Sequence, residues 1–386
     1  MRKDWEMKSL NQVCKELFAG GDVPKGRSSK FITKELNIPI YSNGAKNKGL
    51  YGYTDVPRVT ENSITVSARG TIGYSEIRRE SYLPVVRLIV LIPDEKLITL
   101  PFLKYVIETM DFGNSGTSIP QLTVPMIKKN KAYIPPLSEQ KQIVEILDEA
   151  FTAIDQAKVN IEKNIENAKK LFQSKLNDIF SQKGEGWEEK TFGELGKVSM
   201  CKRILKKQTA PNGEIPFYKI GTFGKVANAF ISKEIYDEYR SKYSFPKKGD
   251  ILISASGTIG RRVEYDGLPG YFQDSNIVWI DNNEEIVTND YLYQFYGVCN
   301  WNPSKGATIS RLYNDDLRKI KISFPSIAKQ KQIVPKMEEL KKQTLQIESN
   351  YKRKLENLSD LKKSILQKAF AGELTGKELA IEVDLN

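Results

Sequence analysis

The chain contains no histidine. That absence removes the imidazole general base, the Ser-His-Asp and Cys-His nucleophiles, the His-x-Glu zinc deaminase centre and the zinc finger built on two cysteines and two histidines. Cysteine is scarce as well: Cys14, Cys201 and Cys299 are far apart and odd in number. They make neither a four-cysteine zinc site nor a disulfide framework, and they fit reduced thiols in a cytoplasmic protein. No apolar run reaches the roughly 18 residues of a membrane span. The opening Met1-Arg2-Lys3-Asp4-Trp5 lacks the apolar stretch of a secretory signal.

Signatures of catalysis are missing too. The Pro135-Pro136 pair sits in Ile134-Pro135-Pro136-Leu137, not in the Asn/Asp-Pro-Pro-aromatic run of an adenine methyltransferase. Pro93-Asp94 is followed by no Glu-x-Lys at a spacing useful to a metal-dependent nuclease. Gly21 to Ser28 approximates a phosphate loop, but Arg27 replaces its lysine and no buried strand leads into a helix there. A flexible basic loop is expected instead.

What the chain does have is basic charge and a repeat. Its 386 residues carry a formal net charge of +11 and a pI near 9.2, which favours a polyanionic partner. Trp5 opens one half and Trp187 the other. Ile38-Pro39-Ile40-Tyr41 returns as Ile215-Pro216-Phe217-Tyr218. Ser67-Ala68-Arg69-Gly70-Thr71-Ile72-Gly73 returns as Ser254-Ala255-Ser256-Gly257-Thr258-Ile259-Gly260. The offset is 182 at the tryptophans, 177 at the Ile-Pro pairs, 187 at the Gly-Thr-Ile-Gly turns and 190 beyond them. Insertions therefore sit in the fronts of the two halves, while the back of each keeps register.

The back of each half opens with the same five letters, Gln140-Lys141-Gln142-Ile143-Val144 and Gln330-Lys331-Gln332-Ile333-Val334. A long amphipathic pattern follows each, ending at Phe180 and Phe370. Its apolar positions step by about 3.5 residues, the period of a coiled-coil seam. The first seam reads Val144, Leu147, Phe151, Ile154, Ile161, Ile165, Ala168, Phe172 and Ile179, broken at Lys158 and Lys175. The second reads Met337, Leu340, Ile347, Tyr351, Leu358, Leu361 and Ile365, broken at Thr344 and Lys354. Two such helices are expected to pack together and to act as spacers.

The fronts read as mixed α/β. Strands are expected at 63–67, 85–92, 251–254 and 276–280, and helices capped by Thr99 and Thr288. The fold class is therefore α+β: two α/β domains and two long helices in a tandem repeat. Boundaries are expected at 1–137 (first domain), 138–183 (central helix), 184–325 (second domain), 326–371 (distal helix) and 372–386 (tail). Lys183 to Gly186 reads as a hinge between the halves, and the tail as mobile.

Basic and aromatic residues gather in the fronts, where they suit phosphate and base contacts. In the first, Lys25, Arg27, Lys46, Lys48, Tyr51 and Arg69 are candidate DNA contacts, with Thr117 and Gln121 on the polar loop 114–121. In the second, the candidates are Lys202, Arg203, Lys206, Lys207 and Lys219, then Arg261 and Arg262 beside the glycine turn. Lys305, Thr308 and Arg311 lie on the loop 304–311. The glycines of the Gly-Thr-Ile-Gly turns read as structural. No catalytic residue, metal ligand or bound cofactor is expected.

These residues together resemble the specificity subunit of type I restriction-modification systems. The carrying features are the two Trp-initiated halves, the paired Ser-Ala-x-Gly-Thr-Ile-Gly, Ile134 to Val144, and Ala369-Phe370-Ala371-Gly372-Glu373-Leu374-Thr375. Ile327-Ala328-Lys329-Gln330 departs mildly from Leu137-Ser138-Glu139-Gln140. The resemblance implies two target-recognition domains that read an asymmetric bipartite site in double-stranded DNA, and antiparallel conserved helices between them. It implies two methyltransferase subunits, which hold S-adenosylmethionine and make N6-methyladenine. It also implies two restriction subunits, which use ATP and Mg. The chain itself would be a non-catalytic cytoplasmic subunit, away from membranes. The competing readings are a coiled-coil scaffold that ignores DNA and a self-sufficient DNA-modifying enzyme.

Overall fold

The computed structural model describes residues 4–112, 121–182, 185–302, 304–305 and 310–374. Two compact units emerge: residues 1–161 with 353–386, and residues 162–352. Each takes in one end of each long helix.

Both units are built on the same plan. A short antiparallel ladder ties the entry strand to the strand that precedes the long helix. In the first unit Glu6–Ser9 pairs with Lys131–Ile134; in the second Trp187–Thr191 pairs with Lys321–Pro325. A four-stranded antiparallel sheet follows. Its order is Cys14–Ala19, Ile89–Pro93, Ser63–Val66, Ser75–Arg78 in one unit and Gly196–Ser199, Ile277–Asn282, Ile251–Ser254, Arg262–Glu264 in the other. A smaller sheet lies alongside, and in it Ile38–Tyr41 runs parallel to Leu83–Pro84, as Ile215–Tyr218 does to Tyr271–Phe272.

The expected run 85–92 is not one strand. Val86 and Arg87 adopt left-handed φ of 53° and 63°, and the strand begins at Ile89. A turn written Val86-Arg87 has no Gly, Asn or Asp to announce it, so the apolar run alone misread it. The expected helix starts are observed. Thr99 Oγ1 accepts from the Phe102 amide and Thr288 Oγ1 from the Tyr291 amide, capping Leu100–Thr109 and Asn289–Phe295.

The offset steps acquire structural content. Ten residues more separate Ile215 from Ser254 than Ile38 from Ser67, and the second unit carries the ten-residue helix Lys233–Lys242 in that interval. That helix helps enclose an aromatic core of Phe217, Phe223, Tyr236, Tyr271 and Trp279. The matching cluster of the first unit is only Val59, Tyr82, Val90 and Ile92.

The two long helices span Leu137–Phe180 and Ile327–Phe370, 44 residues each, about 66 Å at 1.5 Å per residue. Lys362 lies 4.0 Å from Asp155 and Lys169 lies 3.5 Å from Glu348. Fourteen residues forward on one helix thus match fourteen back on the other, so the helices are antiparallel. In the first unit Ile143, Leu147, Phe151 and Ile154 share a core with Leu358, Ile365, Ala369 and Phe370. In the second, Leu176 and Phe180 share a core with Val334 and Met337.

The seam needs correcting in detail. Ile347 and Leu361 are 42% and 47% exposed, whereas Thr344 is buried and its hydroxyl donates to the Leu340 carbonyl. From Met337 one stripe of partly or fully buried positions runs 341, 344, 348, 351, 355, 358, 362, 365, 369, alternating steps of three and four, with Leu340, Ser359, Leu366 and Phe370 partly buried beside it. Lys341, Glu348 and Lys362 occupy seam positions because their methylene stems cover apolar surface while their charged ends reach water or a partner. On the first helix Leu176 is buried next to the expected break at Lys175, and Phe180 joins the expected Ile179 in the core.

The repeated glutamines lock helix to domain. Gln140 is fully buried; its Oε1 accepts from the Thr99 amide at 2.8 Å, and its Nε2 donates to the carbonyls of Leu97 and Pro135 at 2.8 and 2.9 Å. Gln330 does the same with the Thr288 amide at 2.9 Å and the Ile286 and Pro325 carbonyls at 2.8 Å each. One acceptor and two donors at the end of a flexible stem is what a primary amide offers, and no carboxylate or aliphatic side chain reproduces it.

Candidate nucleic-acid interface

In the second unit an open cleft of about 340 Å³ collects residues from four separate segments. Its cationic lining is Arg203, Lys206, Lys219 and Arg311; Asp274 is the only acidic residue among its lining residues. Strand pairing makes the cleft. Lys219 directly follows Ile215–Tyr218, whose parallel partner Tyr271–Phe272 leads into the turn 273–276. Ser275 holds that turn open in left-handed backbone, φ 60°. Gln273 fastens the turn: its amide donates to the Tyr218 carbonyl at 3.0 Å, and its Oε1 accepts from the Ile220 amide at 2.9 Å. Arg203 Nε donates to Asp274 Oδ2 at 2.8 Å, and Arg311 Nη2 to the Ser275 carbonyl at 3.3 Å. The cleft is thus a rigid rim carrying four positive charges against one negative. Lys202 lies outside it, its ammonium 4.8 Å from the Tyr243 ring centroid, and Lys207 is exposed.

Arg261 and Arg262 are placed differently from the expectation. Arg261 Nη1 donates to the Phe223 carbonyl at 2.9 Å. The Arg262 guanidinium stacks 4.5 Å from the Tyr293 centroid, beside Gly297, and its Nε is buried without a hydrogen-bond partner among the described residues. Both tie strand Arg262–Glu264 and its preceding turn to their surroundings, and neither lines the cleft. The glycines beside them are structural as expected. Gly257 and Gly260 have φ of 67° and 79°, and a Cβ on Gly260 would meet Trp301 Nε1 at 2.2 Å.

In the first unit the candidates spread over two places. Arg69 Nη2 donates to Gln121 Oε1 at 2.8 Å, so these two act together. Lys46 and Lys48 lie on the turn Lys46–Gly49, which presents Asn47 and Lys48 at left-handed φ of 48° and 54°. Tyr51 follows, with the Lys30 ammonium 3.9 Å from its ring centroid. Lys48 Nζ is 3.8 Å from Glu76. Arg27 is held by Asp55 through both Nε and Nη2, the latter at 2.7 Å, and that pairing holds the Asp55 carboxyl below its usual range. Lys25 is exposed. Thr117 and Thr308 lie outside the described residues, as do most of loops 114–121 and 304–311, the first two positions of the expected hinge and the tail from 375. The backbone of Lys305 pairs with Ser310.

Arg87 is exposed on the left-handed turn 86–87. Tyr41 pairs with Pro84 as Tyr218 pairs with Phe272, so this turn is the first unit's counterpart of the cleft turn 273–276.

Burial pushes the thiols of Cys14, Cys201 and Cys299 up to about 12. Among the described residues no three His, Cys, Asp or Glu side chains converge as metal ligands, and no helix is long and apolar enough to cross a membrane.

The sequence model of the type I restriction modification DNA specificity domain matches residues 2–167 and again 184–357. The chain belongs to this family. A putative type I restriction enzyme specificity subunit of Haemophilus influenzae is 48% identical over 239 residues, 60% of this chain and 62% of that protein. A putative type I specificity subunit of Mycoplasma pneumoniae is 34% identical over 178 residues, 46% of this chain and 48% of that one. The matched part therefore spans less than two thirds of either relative. Among solved structures, a chain of a type I restriction-modification system superposes with a TM-score of 0.75 at 17% identity, covering 97% of this chain and 99% of that one. The HsdS subunit of Thermoanaerobacter tengcongensis superposes at 0.59 with 16% identity, covering 97% and 98%. At such identities the likeness shows a shared fold.

Proposed function

We propose that this chain is the DNA-reading subunit of a type I restriction-modification complex. Each front domain, 1–137 and 184–325, reads one half of an asymmetric bipartite site in duplex DNA. Helices 138–183 and 326–371 set the spacing between the halves. The observation that carries this is the cationic cleft of Arg203, Lys206, Lys219 and Arg311 on a domain of the specificity family. Arginine and lysine on a rigid rim suit phosphate neutralisation, and Gln273 and Asn276 in the same cleft can address base edges. Arg69 with Gln121 offers the first domain a similar pair.

Chemistry belongs to partners in this reading. Methyltransferase subunits bring S-adenosylmethionine, and restriction subunits bring ATP and Mg, in the cytoplasm where the DNA lies. Two copies of the methyltransferase fit the repeat. Lys141-Gln142 and Lys331-Gln332 are identical in the two halves yet exposed, so the fold does not require them, and one kind of partner meeting both helices would.

Salt-dependent duplex binding tests the cleft. Lys219→Ala should weaken binding to all duplexes alike and lower the slope of log K against log salt by about one, one phosphate contact's worth. An unaltered slope removes Lys219 from the interface. A parent chain whose duplex binding ignores salt returns the scaffold reading.

A further inference from the structure

We infer that the loop 30–37 carries an apolar wedge, Phe31 with Ile32, which inserts between two base pairs of the half-site read by the first domain. This rests on the duplex-binding reading above and adds a mode of recognition to it. Phe31 is 80% exposed and Ile32 62%. Two large apolar side chains side by side in water need a partner to make sense, since a single scattered one would not.

The loop holds them out firmly. Ser28 and Ser29 pair with Thr54 and Tyr53, and the Phe31 amide donates to Ser29 Oγ at 3.1 Å. The Thr33 amide donates to the Leu36 carbonyl at 3.0 Å, and the Leu36 amide donates back to Thr33 Oγ1 at 2.9 Å. Lys30 packs on the Tyr51 ring, so Phe31 leaves the sheet beside the turn that presents Lys46 and Lys48. Lys34 follows on the same loop.

The surrounding charge selects the partner. Apolar groups flanked by Lys30 and Lys34, with Glu35 the one acid on the loop, fit a polyanion with an apolar interior, and in duplex DNA that interior is reached between stacked bases. The wedge lies in an interval whose length differs between the halves. The offset falls from 182 to 177 between the tryptophans and the Ile-Pro pairs, so this interval is five residues longer in the first half. The two half-sites would then be read differently: the second by a cationic cleft, the first with an unstacked step.

The test uses the full chain with its methyltransferase subunits and duplexes of the site defined by modified-base sequencing. 2-Aminopurine is placed in turn at positions other than the methylated adenine. The parent should brighten several-fold at one step of the first half-site. Phe31→Ala should bind about tenfold more weakly, lose that brightening and melt at the parent's temperature, because its ring touches no core. Brightening that survives Phe31→Ala, or a parent that binds but brightens nowhere, overturns the wedge and leaves DNA recognition standing. Unchanged DNA behaviour with loss of the methyltransferase on gel filtration would make the patch a protein-docking surface and also overturn it. A parent that fails to bind duplex sinks the underlying function as well.

Discussion

Gln140→Leu should destabilise the first unit by about 3 kcal/mol or more. The leucine fills similar space but strands the Thr99 amide and the Leu97 and Pro135 carbonyls, one buried and two partly buried backbone groups now paired with one side chain. A buried polar group left without its partner costs roughly 1–3 kcal/mol, and local relaxation recovers part of that. Gln140→Glu should fare no better at neutral pH, because a carboxylate would face two carbonyl oxygens it cannot donate to. Gln142→Ala provides the control. Gln142 belongs to the same repeated five letters but is exposed, so its loss should lie within about 0.5 kcal/mol. Urea denaturation reads the difference, and hydrogen exchange should localise it to the helix start capped by Thr99. Equal midpoints for the two variants would mean that the glutamine does not hold helix to domain. By the repeat, Gln330→Leu should have the same effect on the second unit.

Exchange of residues 1–137 for those of another family member should replace one half-site of the target completely and leave the other untouched. The junction falls at the start of the long helix, where the glutamine clamp depends on main-chain carbonyls and an amide rather than on variable side chains. A foreign front domain that keeps that backbone should therefore dock. The cleft of Arg203, Lys206, Lys219 and Arg311 lies wholly within the second unit, so it stays intact. Modified-base sequencing of cells carrying the chimera gives the result. Changes in both half-sites would contradict independent reading.

Much of the scaffold was legible because it is periodic or repeated. Helix ends at Phe180 and Phe370, the threonine caps and the paired glycine turns followed from spacing alone. The seam was only partly legible. Selecting apolar letters favoured Ile347 and Leu361, while the geometry alternates steps of three and four and accepts Thr344, Glu348 and Lys362 on the way. Period decides a coiled-coil seam before residue type does. The cleft was not legible at all as a cleft. Lys206, Lys219 and Arg311 were each recognisable as basic loop residues, but they converge through the parallel pairing of Phe217 with Tyr271, which no local pattern encodes. The same blindness hid that the Arg262 guanidinium stacks on Tyr293 outside the cleft, and that Val86 and Arg87 form a left-handed turn.

The most direct test is modified-base sequencing of a host expressing this chain with a methyltransferase subunit. A split motif should appear, with two different half-sites separated by a fixed run of unspecified bases and one methylated adenine in each half. A continuous motif, a motif with two identical halves, or methylation that does not depend on this chain would contradict it.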